Sequence, residues 1–160
     1  MYAKETAYKF LSYKPRTQKE VEEKLRQKGF AHDVISKAVE DIKRYGFIND
    51  LEYARNFVLN KSKSKSLGKV ALKQALLLKG IPLETIEQVI AERENLIDET
   101  EVAFELAQKK LKLLKSSKKK KRSESELKRK IYEFLTRRGF TWETINHVIG
   151  KIFDDSELYI

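Results

Sequence analysis

Three stretches of this chain share one pattern: "KLRQKGFAHDVI" at 24–35, "ALLLKGIPLETI" at 75–86 and "FLTRRGFTWETI" at 134–145. Each has a Leu four residues before the Gly (Leu25, Leu76, Leu135), a cation just before it (Lys28, Lys79, Arg138) and a large apolar residue after it (Phe30, Ile81, Phe140). Eight residues before each Gly stands Val21, Leu72 or Ile131, and six after it an Ile (Ile35, Ile86, Ile145) from which apolar positions recur three and four residues on. That is helical spacing on both sides. Gly29, Gly80 and Gly139 therefore suit the left-handed position just past a helix end. There the next apolar residue packs back on the last turn and the preceding cation faces the negative end of the dipole. A β-branched residue at any of the three should destabilise its junction.

Helix starts complete the unit. "TQKE" from Thr17 and "SESE" from Ser123 are capping boxes, with Glu20 and Glu126 placed to answer the cap. After each of the first two pairs comes a third helix, "NDLEYARNFV" with Asn49 as cap and "DETEVAFELAQKKLKLL" with Asp98 as cap. Helices are expected at about 2–12, 17–28, 33–45, 50–63, 67–79, 83–93, 98–115, 123–138 and 143–153, give or take a few residues. The repeat is about 50 residues long, in the range of helical arrays. Its expected division is 1–64 for a leading helix and the first repeat, 65–116 for the second, and 117–160 for a basic linker and the third. The closing "DDSELYI" reads as the start of a further helix cut short. With six Gly and two Pro among 160 residues, the fold class is all-α.

Composition narrows the function. No Cys is present, so disulfides, thiol nucleophiles and Cys-ligated metal are excluded. The N-terminal stretch lacks the continuous apolar run of a signal peptide or membrane span, and a cytoplasmic location is the default expectation. Enzyme signals are missing: no Gly-rich phosphate loop, two distant histidines (His32 and His147) and carboxylates spread over helix faces. No catalytic residue, metal or cofactor is expected.

The net charge of +10 favours an acidic partner, and it is banded. Lys61, Lys63, Lys65, Lys69, Lys73 and Lys79 follow one another with no acid between them, and from Lys109 to Arg122 nine cations stand with no acid. Residues 80 to 100 hold six acids and one cation. Two helices meeting at a Gly suggest a DNA-reading helix-turn-helix, but Glu40, Asp41, Glu84, Glu87 and Glu92 on the second helices would repel phosphate. The run Lys118, Lys119, Lys120, Lys121, Arg122 can be a solvated linker or a phosphate-binding stretch. The aromatics Tyr8, Phe10, Tyr13, Tyr45, Phe47, Tyr53 and Phe57 fall at helical spacings or junctions, where core burial is expected. Trp142 is either a local staple or an exposed anchor.

The segments "YKFLSYKPRTQKEVEEKLRQKGF", "YGFINDLEYARNFV", "LLLKGIPLETIEQVI" and "LKRKIYEFLTRRGFTWETI" together resemble the RecX regulators of the bacterial RecA recombinase. The resemblance implies an extended, curved array of tandem three-helix repeats that binds in the groove of the RecA–DNA filament and inhibits or modulates recombinase and ATPase activity. It also implies a partner for the basic bands. Lys61, Lys63, Lys65, Lys69, Lys73 and the 118–122 run become the candidate filament or nucleic-acid contacts, with Gly29, Gly80 and Gly139 as structural junctions. A monomer with weak, non-specific DNA affinity is expected. The rival expectation is a general DNA-binding or architectural protein. Two departures stand out: "KSSKKKKRSESE" is longer than a compact connection needs, and the chain starts directly at the first helix where longer members carry an extension. A fragment of a longer protein is therefore one reading.

Overall fold

Every helix that the periodicity places is found. The computed structural model describes residues 2–65, 67–116 and 122–153, without the side chains of 63–65. Among the described residues the regular structure is nine α-helices and no strand: α1 (Ala3–Leu11), α2 (Gln18–Gln27), α3 (His32–Arg44), α4 (Asp50–Lys65), α5 (Lys69–Leu78), α6 (Leu83–Glu94), α7 (Glu99–Ser116), α8 (Glu124–Arg137) and α9 (Trp142–Phe153). The segment "DDSELYI" lies outside the described residues.

The three Gly junctions are built alike. Gly29, Gly80 and Gly139 have φ near +80° (82°, 76° and 79°), and the next amide reaches back five residues, Phe30 to the Leu25 carbonyl (3.3 Å), Ile81 to Leu76 (3.1 Å) and Phe140 to Leu135 (3.2 Å). These bonds satisfy carbonyls that the helix end would otherwise orphan. A fourth such end closes α3, where Gly46 (φ 77°) lets the Phe47 amide bond the Ile42 carbonyl (3.1 Å). Both capping boxes form: the Glu20 amide donates to Thr17 Oγ1 (3.2 Å) and the Thr17 amide to Glu20 Oε2 (3.1 Å), with the same exchange between Ser123 and Glu126. Asn49 and Asp98 cap α4 and α7 through their side-chain oxygens. Helix α5 starts two residues later than expected because Gly68 is its cap: the Gly68 carbonyl accepts from Leu72 while its own N–H donates to Arg138.

The chain packs as two compact units, Met1–Val58 with Gln74–Val89 and Leu59–Lys73 with the described part of Ile90–Ile160. In the first, α1, α2 and α3 pack on one another around Ala3, Ala7, Val21, Leu25, Ile35, Ala38, Val39, Ile42 and Ile48. In the second, α7, α8 and α9 do the same around Ala103, Ala107, Ile131, Leu135, Phe140, Ile145 and Val148. Ala3 and Ala7 on α1, like Ala103 and Ala107 on α7, stand four apart, so each helix presents a small face that lets the following pair approach closely. The first and third Gly-junction pairs are thus packed with the helix before them, whereas the repeat pattern alone groups a pair with the helix after it.

The core expectation fails for three aromatics. Tyr13, Tyr45 and Phe47 are largely exposed, because they stand in the turns after α1 and α3 rather than on a helix stripe. Phe47 instead meets the Tyr8 ring edge-on at 5.0 Å. Trp142, the first residue of α9, is 64% exposed, and Thr141 supplies the side-chain bond to the helix start.

Within the first unit, Lys79 Nζ lies 2.8 Å from Glu20 Oε1, and Thr17 Oγ1 donates to the Lys79 carbonyl at 2.8 Å. Burial is the largest single influence, pushing the Glu20 carboxyl up and the Lys79 ammonium down, but the bond and charge between them, joined by the Thr17 amide on Glu20 and by Tyr53 on Lys79, together outweigh it. Glu20 titrates below the ordinary carboxylate value and Lys79 above the ordinary lysine value. A carboxylate held below its unfolded value contributes stability that is present above that value and lost as pH falls through the folded one. Glu20→Gln is therefore expected to lower the urea midpoint at about pH 7 and to match the wild type by about pH 2, below ordinary carboxylate values. An equal gap at both pH values would show that the pair contributes nothing by charge.

Candidate functional site

The candidate cations do not share one environment. Lys69, at the start of α5, is 2.9 Å from Glu94 Oε1, and the Glu94, Glu99 and Glu143 carboxylates all act on its ammonium. The bond to Glu94 holds it above the ordinary lysine value against the opposing pull of burial. A phosphate approaching Lys69 would meet three carboxylates. Lys61 and Lys73 are half-buried and engaged within the chain. Arg122 donates to the carbonyl of Leu114. The side chains of Lys63 and Lys65, and the whole of 118–121, lie outside the described residues.

Charge nevertheless separates between the units. The second holds twenty-one of the 34 Lys and Arg residues against thirteen of the 24 acids, a net +8 of the chain's +10. Three aromatic rings of this unit carry cations over their faces: Lys110 and Arg138 on Phe134, Lys128 on Phe153 and Lys151 on Phe104. On the second helices of the pairs, Glu40, Glu84 and Glu87 are exposed, so a groove-reading role there would press carboxylates onto phosphate.

One cation escaped the banding altogether. Arg93 is 2% exposed; its Nε donates to Ser62 Oγ (3.0 Å), its Nη1 to Glu99 Oε2 (2.6 Å) and its Nη2 to the Leu67 carbonyl (3.3 Å). Glu99 also accepts the Lys69 amide at 3.1 Å, so α4, α5, α6 and α7 meet in one polar cluster. The repeat register could have found it: counted thirteen on from each Gly, Arg93 occupies the position of Ile42 and Ile152. An Arg on the apolar stripe of α6, after Ile86, Val89 and Ile90, needs a buried partner. The first repeat has a related contact, the Asp50 carboxylate accepting the Gln18 amide at 2.9 Å, but with Ile42 in place of the arginine. There burial is the largest influence and pushes the Asp50 carboxyl up.

Among the described residues no group of three His, Asp or Glu side chains could hold a metal ion, and no helix is long and apolar enough to cross a membrane. Known proteins match this arrangement along most of its length. Residues 3–41, 49–90 and 97–149 match the first, second and third three-helix domains of RecX. The chain belongs to the RecX family. The matched segments take in α1–α3, α4–α6 and α7–α9, so the first and third coincide with the packed helix triplets of the two units. The regulatory protein RecX of Clostridium beijerinckii is 36% identical over 154 residues, covering 95% of this chain and 68% of that protein. The RecX of Bacillus pumilus is 34% identical over 151 residues, covering 94% of this chain and 55% of that protein. The crystal structure of RecX from Lactobacillus salivarius superposes with a TM-score of 0.81 at 28% identity, covering 93% of each chain. A second crystal structure of a regulatory protein RecX shares the fold at a TM-score of 0.79 and 21% identity, covering 91% of this chain and 69% of that one.

Proposed function

We propose that this chain is a cytoplasmic, monomeric regulator that binds the RecA–DNA filament and slows the recombinase and its ATPase, and through them DNA repair and recombination. Membership of the RecX family over three consecutive domains carries this reading. The concentration of positive charge on the second unit supports it, since a nucleoprotein filament is polyanionic. Lys61, Lys63, Lys65, Lys73 and the 118–122 run remain the proposed contacts, whereas the enclosure of Lys69 by carboxylates makes it the weakest of the set. Contact alone can slow the filament, and no chemistry by this chain is required.

The same charge also favours a second reading, a general DNA-binding protein that needs no recombinase. The two part on one measurement. At about 0.15 M salt, binding to RecA-coated single-stranded DNA is expected to be at least about tenfold tighter than to the naked strand. Its salt slope should also be shallower, because a protein–protein component survives screening. Equal affinities and equal slopes would overturn the regulator reading in favour of the second.

A further inference from the structure

The second unit carries a groove that the cationic bands do not explain. Between α7 and α9 opens a cavity of about 750 Å³ floored by Phe104, Leu111 and Ile152 and edged by Lys112, Lys115 and Lys151, with no acid among the described residues that line it. The three floor residues are half-buried and rest on the core of the unit, so the floor is fixed by packing. The three lysines are exposed. On α7 the residues at 104, 108, 111 and 115 succeed one another at spacings of four, three and four, which makes the groove wall one helical stripe. That stripe is about 16 Å long, the length of a three-turn helix.

We propose that this groove docks an acidic, amphipathic helix of a partner protein, its apolar stripe on Phe104, Leu111 and Ile152 and its carboxylates on the three lysines. Charge complementarity selects the sign. Lys115 and Lys151 stand in the last turns of α7 and α9, where the carbonyl ends alone would repel an acid and the ammonium groups reverse that field. The floor selects protein over nucleic acid. Leu111 and Ile152 are aliphatic, and Lys151 covers the Phe104 ring at 4.4 Å, so no open aromatic face is offered to a base. Apolar anchors in a groove with charged edges are the ordinary way a helix is held. The proposal stands apart from the filament reading, because the groove can bind such a helix whether or not the chain binds a filament.

The test uses the full chain and a fluorescein-labelled synthetic peptide of about a dozen residues, helix-forming, with Leu at the i, i+3, i+4 and i+7 positions and Glu elsewhere. A second peptide replaces every Glu by Gln, and an oligo-dT strand serves as the nucleic-acid probe. Fluorescence anisotropy in about 0.1 M salt is expected to show saturable binding of the Glu peptide and none of the Gln peptide, with any oligo-dT binding left unchanged by excess Glu peptide. The triple variant Lys112→Glu, Lys115→Glu, Lys151→Glu should weaken it at least about tenfold with an unchanged circular dichroism spectrum. Leu111→Glu should abolish it. Several results would overturn the proposal. They are absence of binding, equal binding of the Gln peptide, or peptide binding that the triple variant leaves intact. A triple variant that loses oligo-dT while the peptide never bound would assign the groove to nucleic acid. A concentration-dependent dimer that the same variant dissolves would assign it to a second copy.

Discussion

Arg93→Ile is expected to destabilise the second unit by about 3–5 kcal/mol, although it installs the residue that the first repeat carries at the same register. The guanidinium is the partner of a Glu99 carboxylate that is itself 11% exposed. Removing it strands that charge, together with the Ser62 hydroxyl and the Leu67 carbonyl, in a place that little water reaches. Replacing both partners behaves differently, since an apolar pair escapes the desolvation of two ions. In Arg93→Ile with Glu99→Gln, the Gln oxygen still accepts the Lys69 amide while the charge is gone. The double variant should regain more than half of the loss. Urea denaturation followed by circular dichroism measures both, as a coupling energy between the two positions. If the single and double variants fall equally, the cluster is held by something other than the ion pair.

Much of the fold was legible because one rule recurs. The Leu–cation–Gly–apolar pattern fixes three helix ends, and the capping residues Thr17, Asn49, Asp98 and Ser123 fix four starts, each by a local bond that the sequence alone implies. What escaped depends on non-local partners. Which neighbour a helix pair packs against is set by complementary faces, here the Ala3/Ala7 and Ala103/Ala107 stripes, which read in sequence as ordinary helix formers. Lys69 reads as one of a row of cations, but Glu94, twenty-five residues on, meets it in space. The α7–α9 groove joins residues about forty apart, and no local spacing announces it.

The repeat also hides a difference among its own glycines. Gly29 and Gly139 share the same motif and nearly the same φ, so any L-residue incurs about 1–2 kcal/mol of backbone strain at either. Around Gly29 a Cβ would meet nothing within 4 Å. At Gly139 it would fall 2.3 Å from the Ala71 Cβ and 2.4 Å from the Ala71 amide nitrogen, on a backbone that cannot swing aside. That backbone is pinned there, because Gly68 donates to the Arg138 carbonyl (2.8 Å) and Val70 to the Gly139 carbonyl (3.0 Å). Relieving the overlap means giving up these bonds, so Gly139→Ala is expected to lose about 3–5 kcal/mol against about 1–2 kcal/mol for Gly29→Ala. Asparagine separates strain from overlap: it enters the left-handed region readily and should be milder than alanine at Gly29, yet no better at Gly139. At Gly80 the obstacle is the flexible Lys19 side chain, and an intermediate loss follows. Urea midpoints of the alanine and asparagine variants decide the matter. Equal losses at Gly29 and Gly139 would mean that the start of α5 is not held against the α8–α9 turn.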